Sequence, residues 1–381
     1  MSTPGTGAEP FTLLRTKLHK PQASPDLILR PRLVERLNQG LDHKLTLVPA
    51  PAGYGKTTLL AQWLEGCDRP VGWVSLDERD NDLVVFPSYL VAAIQTVFPT
   101  ACSTILGLLQ APQIPPPDYL AGKLVNEIAD VPKAFVLVLD DFHTVQDEAV
   151  HNLLAALIRD LPQQVHLVLA SRTDPPLGLA SLRASRQMQD IRAGDLRFTP
   201  NETRAFLEQT VGVSLREDTV SLLEERTEGW VVGLRLAALS MRGLPDHTAF
   251  VQSFRGTHRD LTDYLVAEVL ARQPQHVQEF LLRTSILDRF CASLCDEALG
   301  TGDWAMETDQ LPISSRAVLD ELERANLFLV PLDYERNWYR YHRLFQDSLR
   351  HRLRTQLNPD EFSSMYKRAS AWLAGNGFTE E

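Results

Sequence analysis

The sequence predicts an α/β fold: a parallel sheet wrapped by helices, then a small helical domain and a winged-helix domain. Three observations carry this. Short, nearly continuous apolar runs alternate with helical patterns between residues 45 and 198. From "FTPNET" (198–203) onward the pattern is helical almost throughout. A single pair of β-rich runs, "NLFLVPLDYERNWYRYH" (326–342), interrupts it, which reads as a hairpin joined at Asp333–Asn337.

The elements follow in order. Residues 1–26, rich in Pro, Thr and Ser, read as a tail and an extended approach. "RPRLVERLNQG" reads as a helix with Pro31 in its first turn and Gly40 closing it. The strands are "LTLVPA", "VGWVSLD", "FVLVLDD", "VHLVLAS" and "DIRAGDLRF"; the first four are apolar enough to be covered on both faces. Between them, "KTTLLAQWLEG", "PSYLVAAIQTVF", "YLAGKLVNEIAD" and "EAVHNLLAALIRDL" carry helical periodicity. Thr199 and Glu202 form a capping box opening the next helix. The expected domains are a tail (1–26), a nucleotide-binding domain (27–198), a helical lid (199–262), a winged helix (263–356) and the truncated start of a helical arm (357–381).

Composition narrows the class. The chain has 381 residues, 44% hydrophobic and 23% charged, as in a soluble globular protein of several domains. No run approaches the ~18 apolar residues of a membrane span, and no secretory signal opens the chain, so the expected location is cytoplasmic, away from membranes. Cys67, Cys102, Cys291 and Cys295 lack zinc spacing and read as small hydrophobes. The formal net charge of −11 argues against a chain built to neutralise DNA phosphates. Asp263–Thr355 holds 11 Arg and no Lys against 15 acidic residues, so this winged helix reads as a clamp without direct DNA binding.

The chemistry is concentrated in "LTLVPAPAGYGKTTLLAQW" (45–63). Gly53 and Gly55 flank Tyr54 where the backbone bends tightly, letting amide groups converge on an anion. Lys56 is placed to reach the β- and γ-phosphates, and the Thr57 hydroxyl to hold Mg²⁺; Ala52 and Thr58 complete the nucleotide-contacting stretch. Ala50 replaces the first glycine of the usual motif, at a point where the strand leaves the sheet. "FVLVLDD" ends in Asp140, a ligand for Mg²⁺ through water, and Asp141, which orients or deprotonates the attacking water. Arg172, after the next strand, is a candidate γ-phosphate sensor. The extra strand "VGWVSLD" between loop and acidic strand points to the ASCE type of P-loop NTPase, with a five-stranded sheet.

Seven motifs then occur in order: "APAGYGKTT", "WVSLDERDND", "VLVLDDFH", "LVLASRTDPPL", "EGWVVGLRLAALS", "NLFLVPLD" and "WYRYHRLF". Together they resemble the NB-ARC/NACHT-like module of the signal-transduction ATPases with numerous domains (STAND), as found in LuxR-type bacterial regulators of the maltose-activator type. The resemblance runs from about Leu14 to the end. It implies an ADP-bound closed resting state, an ATP-bound form that assembles into homo-oligomers, and slow hydrolysis that resets the switch. It also implies that an inducer acts through a distal sensor absent from this sequence. His342 in "WYRYHRLF" resembles the winged-helix histidine that touches the ADP β-phosphate. Arg30 and Arg32 resemble the leading segment that lies against the adenine or its sugar; as plain sequence they read equally as a solvated helix start. In Gly229-Trp230-Val231, valine stands where the family places a lid proline, and Trp230 reads as core. Two other classes compete: a P-loop phosphotransferase, for which no acceptor motif is present, and a nucleotide-binding scaffold that does not hydrolyse, which turnover would discriminate.

Overall fold

The computed structural model describes residues 12–22, 27–212, 214–242, 244, 246–300 and 314–378. They form two compact units that interleave along the chain. The first holds residues 12–22 with Leu29–Ala50 and Lys56–Asp195; the second holds residues 27–28, Pro51–Gly55 and the described residues from Leu196 onward.

In the first unit, β1 (Leu45–Pro49), β2 (Val71–Ser75), β3 (Phe135–Asp140), β4 (Val165–Ser171) and β5 (Met188–Asp190) form one parallel sheet in the order β2-β3-β4-β1-β5. Every residue of β1, β3 and β4 is buried, which is why these runs carry no alternation: neither face meets water. Helices Pro31–Gly40, Lys56–Trp63, Val85–Val97, Pro117–Ala129 and Glu148–Arg159 follow the expected patterns. Three details differ. The strand separating β1 from β3 in the sheet is β4, while β2, which separates them in sequence, takes the edge. The fifth strand ends at Asp190, before most of "DIRAGDLRF", and Ala193–Leu196 turns into a helix. An unexpected helix, Ser103–Leu109, buries Ile105 and Leu109 in the core.

The expected tail is described only over 12–22, and that part is anchored. Lys17 is buried with its ammonium 2.7 Å from Asp80 Oδ1 and 4.4 Å from the centre of the Tyr89 ring. The Tyr89 hydroxyl accepts from the Leu14 amide at 3.0 Å.

Among its described residues the regular structure of the second unit is helical apart from β6 (Leu329–Pro331) and β7 (Tyr339–Tyr341), an antiparallel hairpin. Its turn is set by Asp333, whose carboxylate accepts from the amides of Asn337 (2.9 Å) and Trp338 (3.0 Å). Helices Gln275–Thr284, Ala292–Leu299 and Ser315–Arg324 precede the hairpin, and Arg343–Gln356 follows it. Helix Glu217–Thr227 ends in two left-handed residues, Glu228 (φ +50°) and Gly229 (φ +68°), which swing the chain into helix Val231–Met241. Of the cysteines, Cys102 and Cys295 are buried, whereas Cys67 and Cys291 are half-buried and only partly fit the reading as core hydrophobes. Among the described residues, no helix is long and apolar enough to cross a membrane.

The capping box is formed: Thr199 Oγ1 accepts from the Glu202 amide at 3.3 Å and Glu202 Oε2 from the Thr199 amide at 2.9 Å. Thr199→Ala therefore lowers unfolding free energy by about 1 kcal/mol in urea titration.

Candidate nucleotide site

On the first unit, Lys56 opens helix Lys56–Trp63 and is buried, its ammonium donating to the Ala50 carbonyl at 2.7 Å. Ala50 thus contributes a carbonyl, and its amide donates to the Ser171 carbonyl at 3.1 Å, so its methyl is held in the sheet margin. The Thr57 hydroxyl bonds the Asp140 carboxylate at 2.8 and 3.1 Å. Strand β3 and the helix after the loop thereby bring together the two residues expected to hold a metal. Asp141 follows in the left-handed region (φ +57°), tolerable for aspartate, and its carboxylate is half exposed, 3.8 Å from His143 Nδ1. Arg172 follows the end of β4, close enough to influence Lys56. Arg30 caps helix Pro31–Gly40 from a buried position, while Arg32 Nη1 donates to the Asp195 carbonyl at 2.8 Å.

These charges are only partly compensated. Burial pulls the Lys56 ammonium down to about 8, helped by Arg172 and opposed by Asp141 and Asp140. Burial and then the Asp141 charge push Asp140 up to about 6, against the Thr57 hydrogen bond. A phosphate beside the ammonium and a divalent cation beside the carboxylate would each oppose these shifts.

On the second unit, Gly53 (φ +79°) and Gly55 (φ +77°) take the left-handed turns that the loop requires. A Cβ at Gly55 would meet no protein atom within 4 Å, leaving that side of the backbone open to an approaching anion. His342 caps helix Arg343–Gln356 directly after β7 and is 1% exposed. Its Nε2 donates to the Thr227 carbonyl at 2.9 Å, which fixes the tautomer, since a carbonyl only accepts. Its Nδ1 is buried without a hydrogen-bond partner. Burial holds the imidazole down at about 4, with Glu228 opposing and Arg197 assisting. The His342 ring lies 5.9 Å from Trp230 and 5.6 Å from Phe328. The orphaned Nδ1 and the unobstructed Gly55 are what a polyphosphate would fit.

Several residues around this site carry no sequence signal. Glu228 is clasped by Arg340 through two hydrogen bonds (2.8 and 2.9 Å), receives the Arg343 amide at 3.0 Å and faces Arg197 at 3.5 Å. Burial pushes Glu228 up, but Arg340, His342 and the Arg343 amide outweigh it and hold the carboxyl near 2. The four members come from positions 197, 228, 340 and 343, too far apart for any local pattern. Trp230, expected in the core, is indeed fully buried, yet its indole also donates to the phosphate loop at Ala52. The glycine beside it in "EGW" was the only available hint.

Comparison with known proteins fits this geometry. Residues 44–211 match the NACHT domain and residues 266–362 the MalT winged helix domain. The HTH-type transcriptional regulator MalT of Vibrio cholerae serotype O1 is 34% identical over 363 residues, 94% of this chain and 39% of that protein. MalT of Klebsiella pneumoniae is 34% identical over 373 residues, 97% of this chain and 40% of that protein. The chain thus spans about two fifths of the curated relatives it matches. Among solved structures, the Walker-type ATPase of Pyrococcus abyssi superimposes with a TM-score of 0.59 at 16% identity, over 90% of this chain and 100% of that one, a likeness of fold.

Because its carboxyl is held near 2 against a usual 4.5, Glu228 contributes stability that is present above pH 4.5 and lost as pH falls towards 2. Glu228→Gln lowers unfolding free energy at pH 7 by about 3 kcal/mol. Its stability then varies less with pH below 4.5 than that of the unsubstituted protein, as urea titrations across that range would register.

Proposed function

We propose, from its matches to the NACHT domain and the MalT winged helix domain, that the chain is the ADP/ATP switch of a bacterial LuxR-type transcriptional regulator. The observation that carries this is the orphaned Nδ1 of His342, a buried polar atom that a phosphate would satisfy. ADP holds the resting state closed; ATP favours an open form that joins other copies of the chain; slow hydrolysis returns it. An inducer acts through a sensor outside this sequence, and DNA is read by another domain.

In this reading the amides of Ala52–Gly55, with Lys56, Thr57 and Thr58, bind the phosphates, and Arg30 and Arg32 flank the nucleoside. Thr57 and Asp140 hold Mg²⁺, which neutralises phosphate charge when bound. Asp141 orients the attacking water and accepts its proton, Arg172 reports the γ-phosphate, and His342 grips the β-phosphate. The domain limits expected from sequence assign His342 to the winged helix and Trp230 to the lid. The reading that DNA is bound outside this stretch is supported by its charge balance, 11 Arg against 15 acidic residues over Asp263–Thr355.

The tautomer adds a condition. Nε2 keeps its proton for the Thr227 carbonyl, so Nδ1 donates to phosphate only when the ring is doubly protonated. His342 is neutral at pH 7 without nucleotide, because its folded value is about 4. ADP therefore binds together with a proton at this site, and affinity rises as pH falls.

The deciding experiment measures ADP release from the unsubstituted protein and from His342→Gln between pH 5.5 and 8. Release from the variant is faster by about tenfold or more at pH 6, one charge-assisted hydrogen bond, and its additional pH dependence disappears. Identical release and identical pH profiles in both would eliminate the latch. In parallel, Asp141→Asn cuts steady-state phosphate production by about a hundredfold or more while ADP affinity changes little. Equal turnover in the two proteins would instead leave a binding module without hydrolysis.

A further inference from the structure

The tip of the phosphate loop, Pro51–Gly55, belongs to the second unit, and directed contacts hold it there. Trp230 donates its indole N–H to the Ala52 carbonyl at 3.2 Å. The Val232 amide donates to the Gly53 carbonyl at 3.3 Å. Gly53 has no room beside them: a Cβ would stand 2.7 Å from Val232 Cγ2 and 2.9 Å from Trp230 Nε1. Tyr54 is 3% exposed, its ring 6.1 Å from that of Phe328. The Tyr54 hydroxyl accepts from Arg197, which also faces Glu228. Phe328 in turn packs edge-on against Trp230 at 5.2 Å.

A loop whose amides converge on an anion turns carbonyls the other way, and those carbonyls need donors of their own. Here the donors come from the segment at 230–232. Val232 lies in the first turn of helix Val231–Met241, where amides have no intrahelical acceptor, so loop and helix each satisfy the other's unmatched group. Plain core packing explains the burial of Trp230. It does not explain an indole hydrogen bond to the one backbone segment whose shape sets phosphate affinity.

We infer that Trp230 and Tyr54 are positioning residues for the phosphate loop, tying its tip to the lid and hairpin so that nucleotide-competent backbone geometry exists only while those contacts hold. Loss of nucleotide on opening then follows from the loop's own release, in addition to any loss of a phosphate contact at His342. The inference rests on the reading of this loop as the nucleotide site.

The test compares the unsubstituted protein with Trp230→Phe, Tyr54→Phe and a control, Trp73→Phe, a buried tryptophan whose indole bonds Ser75 Oγ. Two quantities are read: amide hydrogen exchange of residues 51–55 without nucleotide, and release of a ribose-labelled fluorescent ADP. Both rise about fivefold in the first two variants, one hydrogen bond's worth, and neither moves in the control, even where its global stability drops. Unchanged exchange overturns the clamp. Faster exchange with unchanged ADP release overturns its role in retention. Equal effects in Trp73→Phe reduce it to general destabilisation. If the unsubstituted protein binds no ADP, the functional reading falls, and exchange alone decides whether the loop is tethered.

Discussion

A charge taken out of water must be met by opposite charge or by hydrogen bonds, and how fully each buried group is met sorts this molecule's ionisable residues into fasteners and receptors. Glu228 is fully met. Two hydrogen bonds from Arg340, a backbone amide and a second guanidinium hold its carboxyl near 2 despite burial. Asp140 and Lys56 are not. Asp140 has a hydroxyl and a neighbouring amide but also a second carboxylate, and it is driven up to about 6; Lys56 has a carbonyl and is driven down to about 8. The compensated carboxylate fastens helix ends to the hairpin. The shifted pair lies at the start of the helix after the loop and at the end of β3.

The same reasoning applies to arginines beside the hairpin. Arg340 binds Glu228, and Arg350 binds Asp288 and the Ser285 and Ile286 carbonyls. A guanidinium whose donors are committed to protein acceptors has few left for phosphate.

The sequence was most legible where one force dominates. Strands β1, β3 and β4 are legible because burial on both faces makes them mostly apolar, and the loop because its left-handed turns favour glycine. The edge strand β5 was misplaced because an edge buries less and its residues alternate with polar ones. Helix Ser103–Leu109 was overlooked since seven residues give too few turns for a period. On the first unit the Thr57 hydroxyl bonds the Asp140 carboxylate, and on the second His342 caps the helix after β7. What stayed hidden was the set of supports: Glu228, Phe328 and the indole of Trp230 act through residues a hundred or more positions away, and long-range pairing leaves no local spacing to read.

These partly compensated groups also determine how nucleotide binding would couple to protons. At pH 7, Lys56 with a value of about 8 lacks about a tenth of a proton, which a phosphate would restore. Asp140 at about 6 carries about a tenth of a proton, which a divalent cation would expel. The two exchanges have opposite sign and similar size, so the first unit is close to proton-neutral. His342, at about 4, carries essentially none, and a phosphate contact through Nδ1 would require nearly a whole one. Proton uptake that is present in the unsubstituted protein and absent in His342→Gln therefore reports this imidazole. A latch built on a buried neutral histidine can be counted in protons, whereas one built on arginine, charged in both states, would leave no such trace.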